Sequence, residues 1–395
     1  MRNKYIDKLS EFYKAKIKPT VDSLFAKTAV IRTGKKKIVY HPIKVLVVVL
    51  CVALCISIVG SFISSFLKPK NIDVSFEFGN SYRTKVIDKD VLIYNNKNVK
   101  AISAKGKTLW QINETLSEPV VEVGGKNMLL MDLAGNHFAT SYKNGKVLNE
   151  YQLGNDIISG KITKKGYAVF ATDTDGYKGK VSLYNKRGRE IYVWNSGSGY
   201  ITDVDITDNG RFLAVAQLLT ESGTVNTKIQ IIDTGRGETV GTIEKENEVA
   251  TEVSYNPSGK LIVVTDNSIS GYSKKGKEKF TVSLAGKDAK YYNIDSEEMI
   301  AVNVMDNRGN SVLELYNMSG KHKGTYVATG DIHAISVCGK KAVVVEQRGV
   351  VRVSMRGKER KVVDMDGDVS DLGYFSNGKN VLTIGASNAE IIAVK

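Results

Sequence analysis

The chain has 395 residues, 25% of them charged and 42% hydrophobic, with 36 Gly but only 5 Pro; this balance excludes disorder along the whole length and the collagen-like and Pro-rich classes. Its net charge of +14 is unevenly spread. Residues 1–44 carry 12 Lys and Arg against Asp7, Glu11 and Asp22, whereas the 44 Lys and Arg of residues 45–395 nearly cancel against 39 Asp and Glu.

The basicity therefore marks an N-terminal arm, 1–44, which carries no nucleic-acid reading motif. Within it Ile6, Leu9, Tyr13 and Ile17 recur every three or four residues among Lys8, Lys14, Lys16 and Lys18. The spacing predicts a short amphipathic helix that ends near Pro19. Such a helix suits an anionic lipid surface. Docking to a cytoplasmic partner, or a loosely ordered arm whose charge only enforces topology, are the alternatives.

Residues 45–67, VLVVVLCVALCISIVGSFISSFL, contain no charge, Asn, Gln or Pro. At 1.5 Å per residue they reach about 34 Å, enough for a hydrocarbon core of about 30 Å, so one transmembrane helix through the lipid bilayer is expected. The preceding arm is too long for the basic region of a signal peptide. All twelve arm cations precede the span, and only Lys68 and Lys70 follow it closely. The arm should therefore be cytoplasmic and the C-terminal part extracytoplasmic. Cys51 and Cys55 fall inside the span and Cys338 is the sole cysteine beyond it, so the outer part contains no internal disulfide. That suits a bacterial cell surface.

After a short linker, 68–71, residues 72–395 read as short β-rich runs separated by turns with Gly, Asn or Asp. One turn recurs, with glycines at Gly106, Gly145, Gly188, Gly237, Gly276, Gly320 and Gly357. The mean spacing of about 42 residues lies in the range of about 40–45 of a four-stranded propeller blade. Tyr184, Tyr272 and Tyr316 each precede such a glycine by four residues and end a strand. A second turn, as in TDNGRFLAV and NPSGKLIVV, leads into an apolar run expected to be a buried inner strand. First strands are placed near Arg83, Val120, Ile157, Ile201, Ala250, Lys290, Ala334 and Val369. The predicted fold is all-β, an eight-bladed propeller with seven blades as the alternative. The last unit lacks its outer strand, and the orphan run Ile72–Phe78 is expected to supply it and so remove two exposed edges.

These units resemble WD-like and quinoprotein-type propeller repeats: Ala101-Ile-Ser-Ala-Lys-Gly106-Lys-Thr-Leu-Trp110 looks like a quinoprotein unit. The equivalent Trp is absent from the other units and Trp194 is displaced by two positions, so the resemblance implies no quinone cofactor. The whole plan is similar to membrane-anchored propeller proteins of Gram-positive bacteria, and it carries no catalytic residue to transfer.

Candidate chemistry is sparse. His137, His322 and His333 fall in different units, at different places within them. Asp331, His333 and Ser336 are close in sequence but lack a nucleophile-elbow pattern. Asp173-Thr-Asp175-Gly176 begins like a calcium loop but has Tyr184 where the bidentate Glu belongs; Asp364-Met-Asp366-Gly367-Asp368, with Asp371, is denser. Both read as polar turns. No catalytic, cofactor-binding or metal-binding residue is assigned. The leading expectation is a non-enzymatic scaffold that meets a membrane-proximal envelope protein. The rival is a surface enzyme or sensor that binds glycan or peptide in the channel, which converging carboxylates with His137 or His333 would favour.

The lysine asymmetry makes a direct forecast. Protease added to intact, wall-stripped cells should digest residues 71–395 and spare 1–44; a protected C-terminal part would reverse the assigned orientation.

Overall fold

The computed structural model describes residues 82–394 except 222, 348, 365–368 and 386–387, together with the strands Ala29–Thr33, Lys36–Tyr40 and Ile72–Ser75 and the single positions Leu50 and Ser57. It divides into two compact units, Met1–Pro69 and Lys70–Lys395.

In the first unit Ala29–Thr33 pairs antiparallel with Lys36–Tyr40, from Ala29 opposite Tyr40 to Thr33 opposite Lys36. Gly34 and Lys35 join the strands. A glycine-led two-residue link between Val- and Ile-containing runs is a hairpin signal, and the sequence reading passed over it as part of a charged arm. The expected arm helix and the expected span at 45–67 lie outside the described residues, apart from Leu50 and Ser57. Among the described residues no helix is long and apolar enough to cross a membrane.

Among its described residues the second unit contains eight four-stranded antiparallel sheets, so eight blades are found and not seven. Their innermost strands are Arg83–Ile87, Pro119–Gly124, Ile157–Ile162, Tyr200–Ile206, Ala250–Tyr255, Ala289–Asn293, Ile332–Cys338 and Val369–Tyr374, each starting within two residues of its expected position. The apolar runs after the second turn form the second strand of a blade, not the innermost one. Ala168–Thr172 and Leu261–Thr265 are buried at every position. A second strand is covered by a neighbouring blade on each face, so its residues need no alternation.

Side chains alternate between those two faces. In blade 1 Leu92 and Tyr94 pack with Val121, Met128 and Leu130 of blade 2, while Val91 and Ile93 pack with Phe375, Leu382 and Ile391 of blade 8. The same division runs around the ring, with one apolar core at each interface between neighbouring blades. The recurring glycine turn joins the third and fourth strands of blades 1–7 and does two jobs. Gly145 and Gly320 have φ of +82° and +72°, and a Cβ there would stand 2.6 Å from the Trp110 ring and 2.5 Å from Phe280 of the preceding blade. The Trp110 indole N–H also donates to Lys143 O at 2.8 Å. Glycine thus supplies the left-handed turn and lets an aromatic ring lie on it.

Ile72–Ser75 is the fourth strand of blade 8, paired antiparallel with Asn388–Ile391. Ser376 N and Oγ both donate to Asp88 O, at 3.0 and 2.9 Å, across the junction of the last and first blades. The ring is therefore closed by its first strand, as the orphan run predicts; residues 76–78 lie outside the described residues.

Removing Ile72–Ser75 should leave blade 8 with a three-stranded open edge. Compared with a chain starting at Lys70, the truncated chain should lose at least about 2 kcal/mol, since each ladder hydrogen bond contributes about 0.5–1.5 kcal/mol, and should aggregate more. Denaturant unfolding and light scattering measure both; equal stability would exclude this pairing.

Candidate functional site

Each innermost strand turns one backbone edge toward the central channel, and those N–H and C=O groups have no further strand to bond. The preceding blade supplies partners. Arg83 and Lys85 of blade 1 donate to Pro119 O and Val121 O of blade 2, at 3.1 and 2.9 Å. Asp203 and Asp205 of blade 4 accept from Val253 N and Tyr255 N of blade 5, at 2.9 and 2.5 Å. Ser336 Oγ of blade 7 accepts from Tyr374 N of blade 8 at 2.9 Å. Polar residues on an innermost strand therefore have a structural duty.

The same residues form a charge network along blades 1–6. Lys85 and Lys161 meet Glu122 at 3.1 and 3.5 Å, Ser159 Oγ donates to Asp203 at 2.6 Å, and Tyr292 OH donates to Glu252 at 2.9 Å. Burial alone would lower the Lys161 ammonium; the nearby Glu122, aided by Asp203, Asp205 and Glu252, outweighs it and holds the group above the ordinary lysine value. Burial would raise Glu122, but Lys85 and Lys161 bring it below the ordinary carboxylate range. Burial raises Asp203 and Glu252, against Lys161. It pushes Asp205 up to about 7, although the N–H groups of Tyr255 and Ile206 favour its charged form.

Beside this network lies a channel cavity of about 340 Å³ whose lining includes Thr84, Lys85, Asp295, Ser336, Asp371 and Tyr374. The Thr84 and Tyr374 hydroxyls are buried without a hydrogen-bond partner among the described residues.

A larger cleft, about 600 Å³, opens between blades 2 and 3 where their hairpin turns meet. Phe138, Tyr151 and Tyr184 form part of its wall; Phe138 stacks on Tyr151 with centroids 5.0 Å apart and meets Tyr184 at 5.6 Å. Its rim carries Lys126, Lys164, Lys165, Lys186 and Arg187, all exposed.

The histidines do not join the channel carboxylates. His137 Nε2 is 3.9 Å from Glu114, His322 Nε2 is 3.0 Å from Thr325 Oγ1, and His333 is exposed beside the bulge of its strand. Ser336 is engaged by the Tyr374 backbone, and Asp173 Oδ1 accepts from Thr174 N in its own turn. The acidic run 365–368 lies outside the described residues. Sequence reading missed the channel network and the cleft. The one available signal was alternation of charge within innermost strands, as in Asp203-Val-Asp205, where a strand buried on both faces would be apolar throughout.

The chain belongs to a family of unknown function, DUF5711, whose model matches residues 70–394. Its fold is similar to the C-terminal WD40 domain of Sif2, with TM-score 0.58, 12% identity and coverage of 82% of this chain and 99% of that one. It is also similar to BamB from Moraxella catarrhalis, with TM-score 0.53, 12% identity and coverage of 82% and 98%. Both likenesses are likenesses of fold. No curated protein matches the sequence.

The Asp205 shift gives a pH forecast. Its carboxyl binds a proton more tightly folded than unfolded, with a pKa moved from 3.8 to about 7. Folding therefore takes up a proton between about pH 4 and 7, and this group's contribution falls as pH rises through that window. Asp205→Asn removes the titration, so its melting temperature relative to wild type should be higher at pH 8 than at pH 5. A difference that does not vary with pH would contradict the assignment.

Proposed function

We propose that the protein is a single-pass membrane protein that displays an extracytoplasmic eight-bladed propeller as a non-enzymatic protein-interaction scaffold in bacterial cell-envelope assembly. The state of the channel carries this reading. Glu122, Asp203, Asp205 and Glu252 are each bonded to a neighbouring blade or its side chains, so the charges that would serve as acids or bases already hold the ring together. The loops at the two ends of a rigid β scaffold are then the surfaces left for recognition. The apolar run 45–67 and the lysine asymmetry before it support the anchor and its orientation. A membrane-proximal envelope protein is the partner class that this placement favours.

A second reading rests on one observation. The 340 Å³ channel cavity is lined by Lys85, Asp295 and Asp371, charged groups of both signs that suit a small polar ligand. In this reading the protein is a channel sensor or enzyme.

The two readings separate in intact cells. A photo-crosslinking residue at Tyr177, exposed in the loop between the second and third strands of blade 3, should capture a discrete envelope protein. Asp295→Asn and Asp371→Asn, both in the cavity lining, should leave that capture and complementation at wild-type levels. Loss of complementation in the channel variants with intact folding, and no capture at loop positions, would replace the scaffold with the channel reading.

A further inference from the structure

The meander of each blade places its first-to-second and third-to-fourth turns at one end of the propeller, and its second-to-third turn and exit to the next blade at the other. Sorting the described residues of these connections by end separates the charge. The hairpin end carries 22 Lys and Arg against 5 Asp and Glu, while the opposite end carries 11 Asp and Glu against 4 Lys and Arg. One end is strongly basic and the other acidic, a polarity that the near-neutral total of residues 45–395 conceals.

Local pairing removes only part of the basic excess. Lys143 pairs with Asp88 at 2.7 Å, Lys340 with Glu298 at 3.2 Å, and Arg211 with Asp233 at 3.0 Å. The five rim cations of the cleft, with Arg189, make blades 2 and 3 the densest sector. The acidic exception, Asp295, Glu297 and Glu298, sits in the first turn of blade 6, diametrically across an eight-membered ring from blade 2.

The closing strand says which end faces what. Ile72 pairs with Ile391 and Ser75 with Asn388, and the third strand of blade 8 runs from Asn388 at the acidic end to Ala393 at the basic end. The fourth strand therefore starts at the basic end. The chain joins the propeller there, with four residues, 68–71, between Leu67 at the end of the apolar run and Ile72.

From these observations we infer that the basic hairpin end of the propeller is a docking surface for an anionic lipid bilayer, led by the cation-rimmed cleft of blades 2 and 3. The inference rests on the reading of 45–67 as a membrane anchor and deepens it. The bilayer is chosen over an acidic protein because the chain enters the propeller at this end only a few residues beyond the apolar run, and because exposed cations gather on anionic headgroups by charge alone. The acidic end is left as the face that meets the partner.

The test uses the full chain in lipid nanodiscs. Cys51, Cys55 and Cys338 are replaced by Ser, and a single fluorophore is placed through Lys186→Cys on the basic end or Asp175→Cys on the acidic end. A quencher is attached to lipid headgroups. In phosphatidylglycerol discs the label at 186 should be quenched several-fold more than in phosphatidylcholine discs, and the label at 175 should be quenched in neither. The effect should fade in 1 M salt, where the screening length shrinks to about 3 Å. It should also fade with Lys164→Glu, Lys165→Glu and Arg187→Glu, exposed turn substitutions whose folding is checked by circular dichroism. Quenching at 186 that ignores lipid charge, quenching at 175 instead, or none at either position overturns the proposal. So does protection of position 186 by soluble polyglutamate when phosphatidylglycerol has no effect, which would assign the face to an acidic protein. A chain that fails to enter nanodiscs refutes the anchor; the same chain is then floated with phosphatidylglycerol vesicles, and failure to float overturns the docking surface as well. Absence of a captured partner at Tyr177 bears on the scaffold alone.

Discussion

Closure of the ring is the constraint on which the rest of the molecule depends. Each blade buries one face against its predecessor and one against its successor, so an open ring would expose two apolar sheet faces. The core formed by Val91, Ile93, Phe375, Leu382 and Ile391 exists only because blade 8 returns to blade 1. Pairing Ile72–Ser75 with Asn388–Ile391 ties the beginning of the propeller to its end, so that the last blade has chain contributions from both termini of the domain. The direction of that short strand also decides that the chain enters the propeller at its basic end.

A closed ring solves the problem of the outer faces and creates another at the axis. Eight innermost strands present backbone groups to the channel, and an unpaired buried N–H or C=O is costly. Charged and hydroxyl side chains from the preceding blade meet that need at blades 2, 5 and 8. Asp203 and Asp205 are largely buried, with 8% and 9% exposure, yet each accepts a main-chain N–H from blade 5. Carboxylates clustered on an axis invite a catalytic interpretation. Here their hydrogen bonds assign them first to cohesion between blades, and Lys161 balances the charge that this cohesion concentrates.

Much of the propeller was legible in the sequence. The glycine spacing works because Gly145 and Gly320 satisfy two demands at once, positive φ and contact with an aromatic ring, so few other residues are tolerated there. The closing strand was legible because Ile72–Phe78 is a β-rich run that precedes the first blade and has no place in it. The hairpin at Ala29–Tyr40 was hidden by its lysines, although Val30, Ile31, Ile38 and Val39 flank a two-residue Gly-Lys link. The polarity of the two ends was not legible from composition. Lys186 and Asp175 lie eleven residues apart and cancel in any net charge; only the strand order sends them to opposite ends. The cleft was invisible for a similar reason, because Tyr151 and Lys165 belong to different blades and become neighbours only when the blades pack.

The most direct measurement of this account is register-specific crosslinking at the closure. Residues directly opposite in an antiparallel pair have Cα atoms about 4.5–5.5 Å apart, which a disulfide spans. With the three native cysteines replaced, Val74→Cys with Ala389→Cys should form a disulfide in the full chain under mild oxidation, since Val74 faces Ala389. Ile72→Cys with Ala389→Cys, two residues out of register, should not. A crosslink in the first pair alone is the result that closure predicts. Absence of the 74–389 crosslink, or equal yield from both pairs, would contradict the closed ring and the point of chain entry drawn from it.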